Sequence, residues 1–171
     1  MSIEVVSQYF ENYGVIAIFV IVLLEYLNLP GFPAGVIMPL AGIWAANGKL
    51  SFLLTMVISV SAGLVGSWIL YFFGRLGGNV FLKAYVKKFP KQQKAIDRNF
   101  EMIRQKGCIG IFVSKLIPMV RTLISIPAGV LKIDFMKYTV SSALGICVWN
   151  FAFVGAGYVF GNKVFELLGQ I

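Results

Sequence analysis

Three charged side chains lie within stretches of the sequence that are otherwise almost entirely apolar. They are Glu25, Lys115 and Arg121. A charge at the centre of a membrane helix costs roughly 2.5–3.5 kcal/mol on insertion scales, and such residues commonly mark substrate or ion pathways. One carboxylate cannot neutralise two cations, so the three side chains together retain a positive charge. We therefore expect a site for an anion, and the planar guanidinium of Arg121 suits phosphate oxygens.

Two hydroxyl residues, Thr122 and Ser125, follow Arg121 closely and would add hydrogen-bond donors to this site. Two structural interpretations of the charges remain open. A buried ion pair would hold the chain segments together, and removal of one partner would cost about 3–5 kcal/mol and imitate loss of function. Alternatively, Glu25 lies near the end of its apolar run and simply reaches the membrane interface.

The composition places the chain among membrane proteins. Of its 171 residues, 58% are hydrophobic and 13% are charged, whereas soluble domains have about 45–50% apolar and about 25% charged residues. A net charge of +8 would also suit a nucleic-acid-binding protein, but the apolar content favours a membrane protein. The chain has no histidine, which excludes His-containing catalytic triads and His-ligated zinc sites.

Three apolar runs are long enough to cross a membrane, which takes about 17–25 residues. They cover residues 13–29, 50–73 and 138–160. Two further apolar stretches are broken by prolines, glycines or charges and cover residues 32–46 and 108–130. Broken segments occur at membrane depth where protein or a water-filled cavity shields them.

Both broken stretches are predicted to be re-entrant hairpins, over about residues 30–47 and 108–131. The first stretch would extend only about 22 Å as a helix, which is less than a hydrocarbon core of ~30 Å. The second is long enough but contains two charges. The expected hairpin-forming residues are Pro30, Pro33, Gly35, Pro39, Pro118, Pro127 and Gly129. The predicted fold is thus an all-α integral membrane protein with three transmembrane helices and two re-entrant hairpins.

The two halves of the sequence contain similar motifs. The first pair is Pro30-x-x-Pro33-x5-Pro39-x-Ala41-Gly42 and Pro118-x-x-Arg121-x5-Pro127-Ala128-Gly129. The second pair is Ser61-Ala62-x5-Trp68-x5-Gly74 and Ser142-Ala143-x5-Trp149-x5-Gly155. Because each copy comprises one hairpin and one span, we expect the second copy to be inverted relative to the first. Inverted repeats built around broken segments are typical of transporters.

Residues 79–106 separate the two copies and predict a pair of amphipathic helices. Apolar residues recur there at helical spacing among lysines and arginines, and Pro90 separates the two helices. This composition favours an anchor on the anionic cytoplasmic leaflet. With both hairpins re-entrant, eleven of the 15 lysines and arginines share one side and only Lys49 and Lys163 lie on the other. The positive-inside rule then places the N-terminus and the basic loop in the cytoplasm.

Three groups of residues together form a pattern that resembles the DedA family of bacterial inner-membrane proteins, also called the SNARE-associated or VTT-domain family. They are Glu25 with Pro30-Gly-Phe-Pro33, Gly63-x-x-Gly66…Tyr71-x-x-Gly74-Arg75-x-Gly77, and Lys115-x5-Arg121-Thr-Leu…Pro127-Ala-Gly129. The resemblance covers about residues 25–161 of what we predict to be one membrane domain over residues 1–171. It implies two re-entrant hairpins that face each other within a helical bundle. It also implies lipid translocation, of undecaprenyl phosphate or of phospholipids such as phosphatidylethanolamine, with proton or sodium coupling.

The resemblance assigns Glu25 to the family's membrane acid, and Lys115 and Arg121 to its pair of arginines in the second hairpin. Two residues depart from the family pattern. Lys115 stands where arginine is usual, which keeps the charge but loses the guanidinium fork. Gly35 stands where many members have a second acid. This departure weakens a coupling mechanism based on two carboxylates and leaves the surplus positive charge.

We predict a translocase for a phosphate-headgroup lipid of the bacterial cytoplasmic membrane, with undecaprenyl phosphate as the preferred substrate. Arg121, Lys115, Thr122 and Ser125 would bind the headgroup, and Glu25 would pair with the cations in the empty site and serve in H+ or Na+ coupling. The alternatives are a phospholipid flippase or scramblase, a proton- or cation-coupled transporter of small solutes, and a membrane-organising protein that transports nothing. We expect neither an enzyme nor a metal or cofactor, and oligomerisation stays open.

Overall fold

The computed structural model describes residues 3–27, 36–47, 50–90, 93–118 and 120–168. This part of the chain contains seven helices and no β-strand, so the all-α prediction is confirmed for it. The helices are α1 (Ile3–Tyr26), α2 (Ile37–Ala46), α3 (Phe52–Lys88), α4 (Gln93–Lys115), α5 (Val120–Leu123), α6 (Ser125–Val130) and α7 (Phe135–Leu168).

Two helices contain segments that are long and apolar enough to cross a membrane. They are Phe52–Gly78 in α3 and Phe135–Gly161 in α7, each with 27 residues. Their length of about 40 Å exceeds a hydrocarbon core of ~30 Å. The apolar part of α1, Tyr13–Tyr26, is shorter. The structure therefore contains helices long and apolar enough for two of the three predicted spans, and a membrane crossing by residues 13–29 stays a prediction.

Glycines interrupt three of the helices with the same backbone geometry. Gly14, Gly78 and Gly107 have φ of 54°, 50° and 54° and ψ of −124°, −140° and −127°. Residues with a Cβ atom rarely adopt this left-handed φ, so glycine at these positions permits the breaks. The breaks at Gly78 and Gly107 bracket residues 79–106, the segment predicted to form the amphipathic pair.

The first half of α4, residues 93–106, folds back along the second half and packs its apolar side on the protein. A Cβ on Gly110 would lie 2.3 Å from the carbonyl oxygen of Met102, eight residues earlier. Ile96 and Ile103 are buried, whereas the lysines and arginines of this half are exposed. The expectation that this helix rests its apolar side on lipid is therefore corrected, because that side covers the neighbouring helices.

The two halves of the chain exchange their short helices. α2, from the first half, packs on α7, and α6, from the second half, packs on α3. In the α2–α7 contact, a Cβ on Gly42 would lie 2.1 Å from the carbonyl oxygen of Val154, and a Cβ on Gly157 would lie 2.0 Å from that of Pro39. Glycines thus allow the two backbones to touch, as small residues do in membrane helix pairs.

The α3–α6 contact repeats this arrangement. A Cβ on Gly129 would lie 2.0 Å from the carbonyl oxygen of Tyr71, and a Cβ on Gly74 would lie 2.3 Å from that of Ile126. Gly129 therefore corresponds to Gly42, and Gly74 to Gly157. These repeated contacts support the internal repeat inferred from the motifs.

At Gly74, the register of the repeat in the structure differs from that of the sequence motifs. The motifs pair Gly74 with Gly155, but no described atom lies within 4 Å of a Cβ built on Gly155. The structural counterpart of Gly74 is Gly157, two residues further along α7. The motifs are wrong at this position because Gly155 has the matching spacing, whereas Gly157 makes the contact.

We expect Gly157→Ala to destabilise the protein by about 1–3 kcal/mol, because the added methyl group overpacks the α2–α7 contact. Gly155→Ala is the matched control and should leave stability unchanged or slightly increased, since alanine has the higher helix propensity. Thermal unfolding of both variants in detergent, followed by tryptophan fluorescence, measures the difference. Equal melting temperatures would contradict the close contact at Gly157.

Candidate anion-binding site

A buried ion pair joins the end of α1 to α5. Nη2 of Arg121 donates a hydrogen bond to Oε1 of Glu25, and the two side chains are 0% and 1% exposed. The carboxylate of Glu25 is therefore enclosed by protein and paired with Arg121. The ion pair connects the first half of the chain to the second. Of the two cations expected to pair with Glu25, Arg121 does so.

Two aromatic rings flank the guanidinium of Arg121. Its Cζ lies 4.5 Å from the centroid of the Tyr26 ring and 5.0 Å from that of the Trp149 ring. Cation–π contacts of this kind are worth about 2 kcal/mol when the cation is desolvated. The rings stabilise the positive charge in the interior.

Two nitrogens of the guanidinium have no hydrogen-bond partner among the described residues. Nε and Nη1 of Arg121 are buried and form no hydrogen bond within the described ranges. An unsatisfied buried donor costs about 1–3 kcal/mol, and more when it is charged. The side chain therefore retains donors that an anion would satisfy, and these donors carry the chemistry of the site.

A polar cluster from three helices holds the Tyr26 ring beside Arg121. The hydroxyl of Tyr26 donates to Oδ1 of Asn150 at 3.2 Å, and Nδ2 of Asn150 donates to Oγ of Ser59 at 3.2 Å. Tyr26, Asn150 and Ser59 were not predicted from the sequence, and neither was Trp149 as a partner of Arg121. Asn150 was the available signal, because an amide inside an apolar span usually bonds a neighbouring helix.

Hydroxyl groups surround the second cation, Lys115, which is completely buried. Its Nζ donates to Oγ of Ser67 at 2.8 Å and to Oγ of Ser125 at 3.3 Å. The hydroxyl of Tyr138 lies 2.8 Å from Oγ of Ser125 and 3.1 Å from the carbonyl oxygen of Ser67. The expectation that Glu25 pairs with both cations is therefore corrected, because the hydrogen bonds of Lys115 go to hydroxyls. Ser67 and Tyr138 were not predicted.

The remaining predicted residues lie in or near the same short helices. Thr122 is buried beside Arg121 in α5, and Ser125 begins α6. Of the hairpin-forming residues, Pro118 is exposed in the turn after α4, whereas Pro39, Pro127 and Gly129 lie within the short helices. Those that lie outside the described residues are Pro30, Pro33 and Gly35.

Tyr26 and Lys115 occupy corresponding positions in the two halves. Tyr26 ends α1 over Gly66 of α3, where an added Cβ would lie 2.8 Å from the Cβ of Tyr26. Lys115 ends α4 over Gly145 of α7, where the same distance to the Cβ of Lys115 is 2.5 Å. The repeat thus places a neutral phenol in one half and a cation in the other.

The model of the VTT domain matches residues 32–159, which include α2 to α6 and both cations of the site. The chain belongs to the VTT-domain family. This match confirms the resemblance to the DedA family and the assignment to membrane proteins.

Two relatives of this VTT-domain chain share one name. The chain is 30% identical over 158 residues to undecaprenyl phosphate transporter A of Staphylococcus aureus, and the match covers 90% of this chain and 77% of that protein. It is 30% identical over 131 residues to undecaprenyl phosphate transporter A of Bacillus subtilis, with 77% and 66% covered. An alkaline phosphatase-like protein of Lactococcus lactis is 26% identical over 173 residues, with 98% and 80% covered. No solved structure matches significantly.

We expect Arg121→Met to destabilise the protein by about 3–5 kcal/mol, because it leaves the carboxylate of Glu25 buried without its cation. The double variant Glu25→Gln/Arg121→Met should recover most of this loss, since neither charge remains. Unfolding by SDS in mixed micelles measures both free energies of unfolding.

Lys137→Met is the matched control, because Lys137 is an exposed cation and its loss should change stability by no more than about 0.5 kcal/mol. A double variant as unstable as Arg121→Met would show that the guanidinium stabilises the fold through contacts other than the ion pair.

Proposed function

We propose that the chain is a translocase that moves a phosphate-headgroup lipid across the bacterial cytoplasmic membrane, with undecaprenyl phosphate as the substrate. The observation that carries this proposal is the buried guanidinium of Arg121, whose Nε and Nη1 have no hydrogen-bond partner among the described residues. Both two-donor edges of a guanidinium include Nη2, so a phosphate that binds in the bidentate geometry that arginine favours takes Nη2 together with Nε or Nη1. The two relatives named undecaprenyl phosphate transporter A support this choice of headgroup.

Glu25 acts as the internal competitor of the headgroup. In the empty site its carboxylate binds Nη2 of Arg121, so the charge of the guanidinium is partly compensated while Nε and Nη1 stay available. A phosphate that enters takes Nη2 together with Nε or Nη1 and thereby competes with Glu25 directly. Thr122 and Ser125 supply further hydroxyls, and the prenyl tail remains in the bilayer.

The lengths of the short helices support the two re-entrant hairpins. At about 1.5 Å per residue, α2 and residues 108–115 are about 15 Å and 12 Å long, and Val120–Val130 is about 16 Å long. None of these reaches across a core of ~30 Å. In this proposal, the two short helices joined by the turn around Pro118 enter and leave on one face of the membrane, with Arg121 inside the membrane and with the N-terminus and residues 79–106 in the cytoplasm.

A phosphatase-access assay tests the proposal. Liposomes that contain labelled undecaprenyl phosphate are treated with a soluble phosphatase, which hydrolyses only the headgroups on the outer leaflet. With wild-type protein, hydrolysis should extend from the lipid of the outer leaflet to nearly all of the labelled undecaprenyl phosphate. Glu25→Gln/Arg121→Met should leave it at the outer half, and Arg121→Lys should slow it about tenfold, because lysine lacks the fork.

Lys137→Met is again the matched control and should translocate at the wild-type rate. A parallel assay with labelled phosphatidylethanolamine distinguishes a phospholipid translocase, which would move that lipid at least as fast. Wild-type rates no higher than those of empty liposomes for both lipids would refute the proposal.

A further inference from the structure

The surroundings of Lys115 differ from those of Arg121 in one chemical respect. Arg121 binds a carboxylate, whereas Nζ of Lys115 has only hydroxyl oxygens as hydrogen-bond acceptors in the part of the chain that the structure describes. A carboxylate partner would hold a lysine in the ammonium form. Hydroxyl partners impose no such preference, because each hydroxyl both donates and accepts.

The hydroxyls around Lys115 form a chain that accommodates either protonation state. In the ammonium form, Nζ donates to Ser125, whose hydroxyl donates to Tyr138, whose hydroxyl in turn donates to the carbonyl of Ser67. In the amine form the order reverses: Tyr138 donates to Ser125, and Ser125 donates to the lone pair of Nζ. The heavy-atom distances of 3.3 and 2.8 Å serve both arrangements, whereas the 3.1 Å hydrogen bond to the carbonyl oxygen of Ser67 forms only in the ammonium form; only hydroxyl hydrogens rotate.

Few other charged groups face Lys115 within the described residues. α5 contributes Arg121, whose positive charge acts on Lys115, and α1 contributes Glu25, which is bound to Arg121. α7 contributes the phenol of Tyr138, and α3 contributes Ser67 and the phenol of Tyr71, which stacks on Tyr138 with centroids 4.6 Å apart. α6 contributes Ser125. No carboxylate in this set hydrogen-bonds to Lys115.

The charge balance of the site changes when a headgroup binds. In the empty site, Glu25 and Arg121 compensate each other, so an ammonium on Lys115 would add an uncompensated charge to the interior, which is costly. A neutral amine leaves the site without net charge. A phosphate headgroup brings at least one negative charge, and an ammonium on Lys115 then compensates it.

We propose that Lys115 is the coupling residue of the translocase: its amine binds one proton together with the headgroup and releases that proton when the headgroup leaves. On the entry side, the lone pair of Nζ forms an N–H bond with a proton from water. On the exit side the same bond breaks and the proton returns to water. Each lipid thus crosses with one proton, and Ser67, Ser125 and Tyr138 are positioning residues. This inference rests on the proposed function.

A pH gradient tests this coupling at equilibrium. Proteoliposomes hold a trace of labelled undecaprenyl phosphate, with pH 7.5 on one side and pH 8.5 on the other and with the membrane potential clamped to zero. One proton per lipid makes the wild-type ratio of lipid between the leaflets shift about tenfold toward the alkaline side. Lys115→Arg keeps the positive charge but cannot release a proton, so its ratio should be unaffected by the gradient.

The outcomes separate the coupling from the transport itself. A wild-type protein that translocates the lipid without responding to the gradient, or an equal response of Lys115→Arg, would overturn the role of Lys115 and leave the translocase intact. A wild-type protein that moves no lipid would overturn both.

A second measurement needs no variant of Lys115. Calorimetric titration of the wild-type protein with farnesyl phosphate at pH 8, in two buffers of different ionisation enthalpy, counts the protons taken up on binding. We expect about one proton per bound headgroup. Binding without proton uptake would overturn the proposal.

Discussion

The buried ion pair between Glu25 and Arg121 is the interaction on which the rest of the structure depends. Bringing two charges out of water costs several kcal/mol for each ion, so the surrounding helices must hold both partners together. The rings of Tyr26 and Trp149 both stabilise the cation, and the hydrogen bond to Asn150 fixes the ring of Tyr26. Once the guanidinium is desolvated in this way, a second anion can replace the first without repeating that cost.

The repeat supplies the frame for this site but not its chemistry. Glycines at the two helix crossings let α2 touch α7 and let α6 touch α3, so each half of the chain is held by the other. At the corresponding ends of α1 and α4, however, one half carries Tyr26 and the other Lys115. A symmetric scaffold therefore holds an asymmetric site, with an ion pair on one side and a lysine among hydroxyls on the other.

Much of this site could be predicted from the sequence, because charges in apolar runs are costly and therefore conspicuous. Prolines and glycines likewise predicted the short helices. The hydroxyls of Ser67 and Tyr138 could not be predicted, since neutral polar residues are common in membrane helices and their partners lie far away in the sequence. The same holds for the first half of α4: its amphipathic pattern predicted a helix, but the pattern cannot distinguish a protein surface from a lipid surface.

We propose that Glu25 competes with the headgroup phosphate for Arg121. The affinity of the Glu25→Gln variant for farnesyl phosphate tests this competition most directly. Removing the competing carboxylate leaves a buried cation that only the ligand can neutralise, so calorimetric titration in detergent should show a Kd at least tenfold below that of the wild type. Each tenfold change corresponds to about 1.4 kcal/mol of binding free energy. An unchanged or higher Kd would show that Glu25 supports the site rather than competing for it, and would contradict the account.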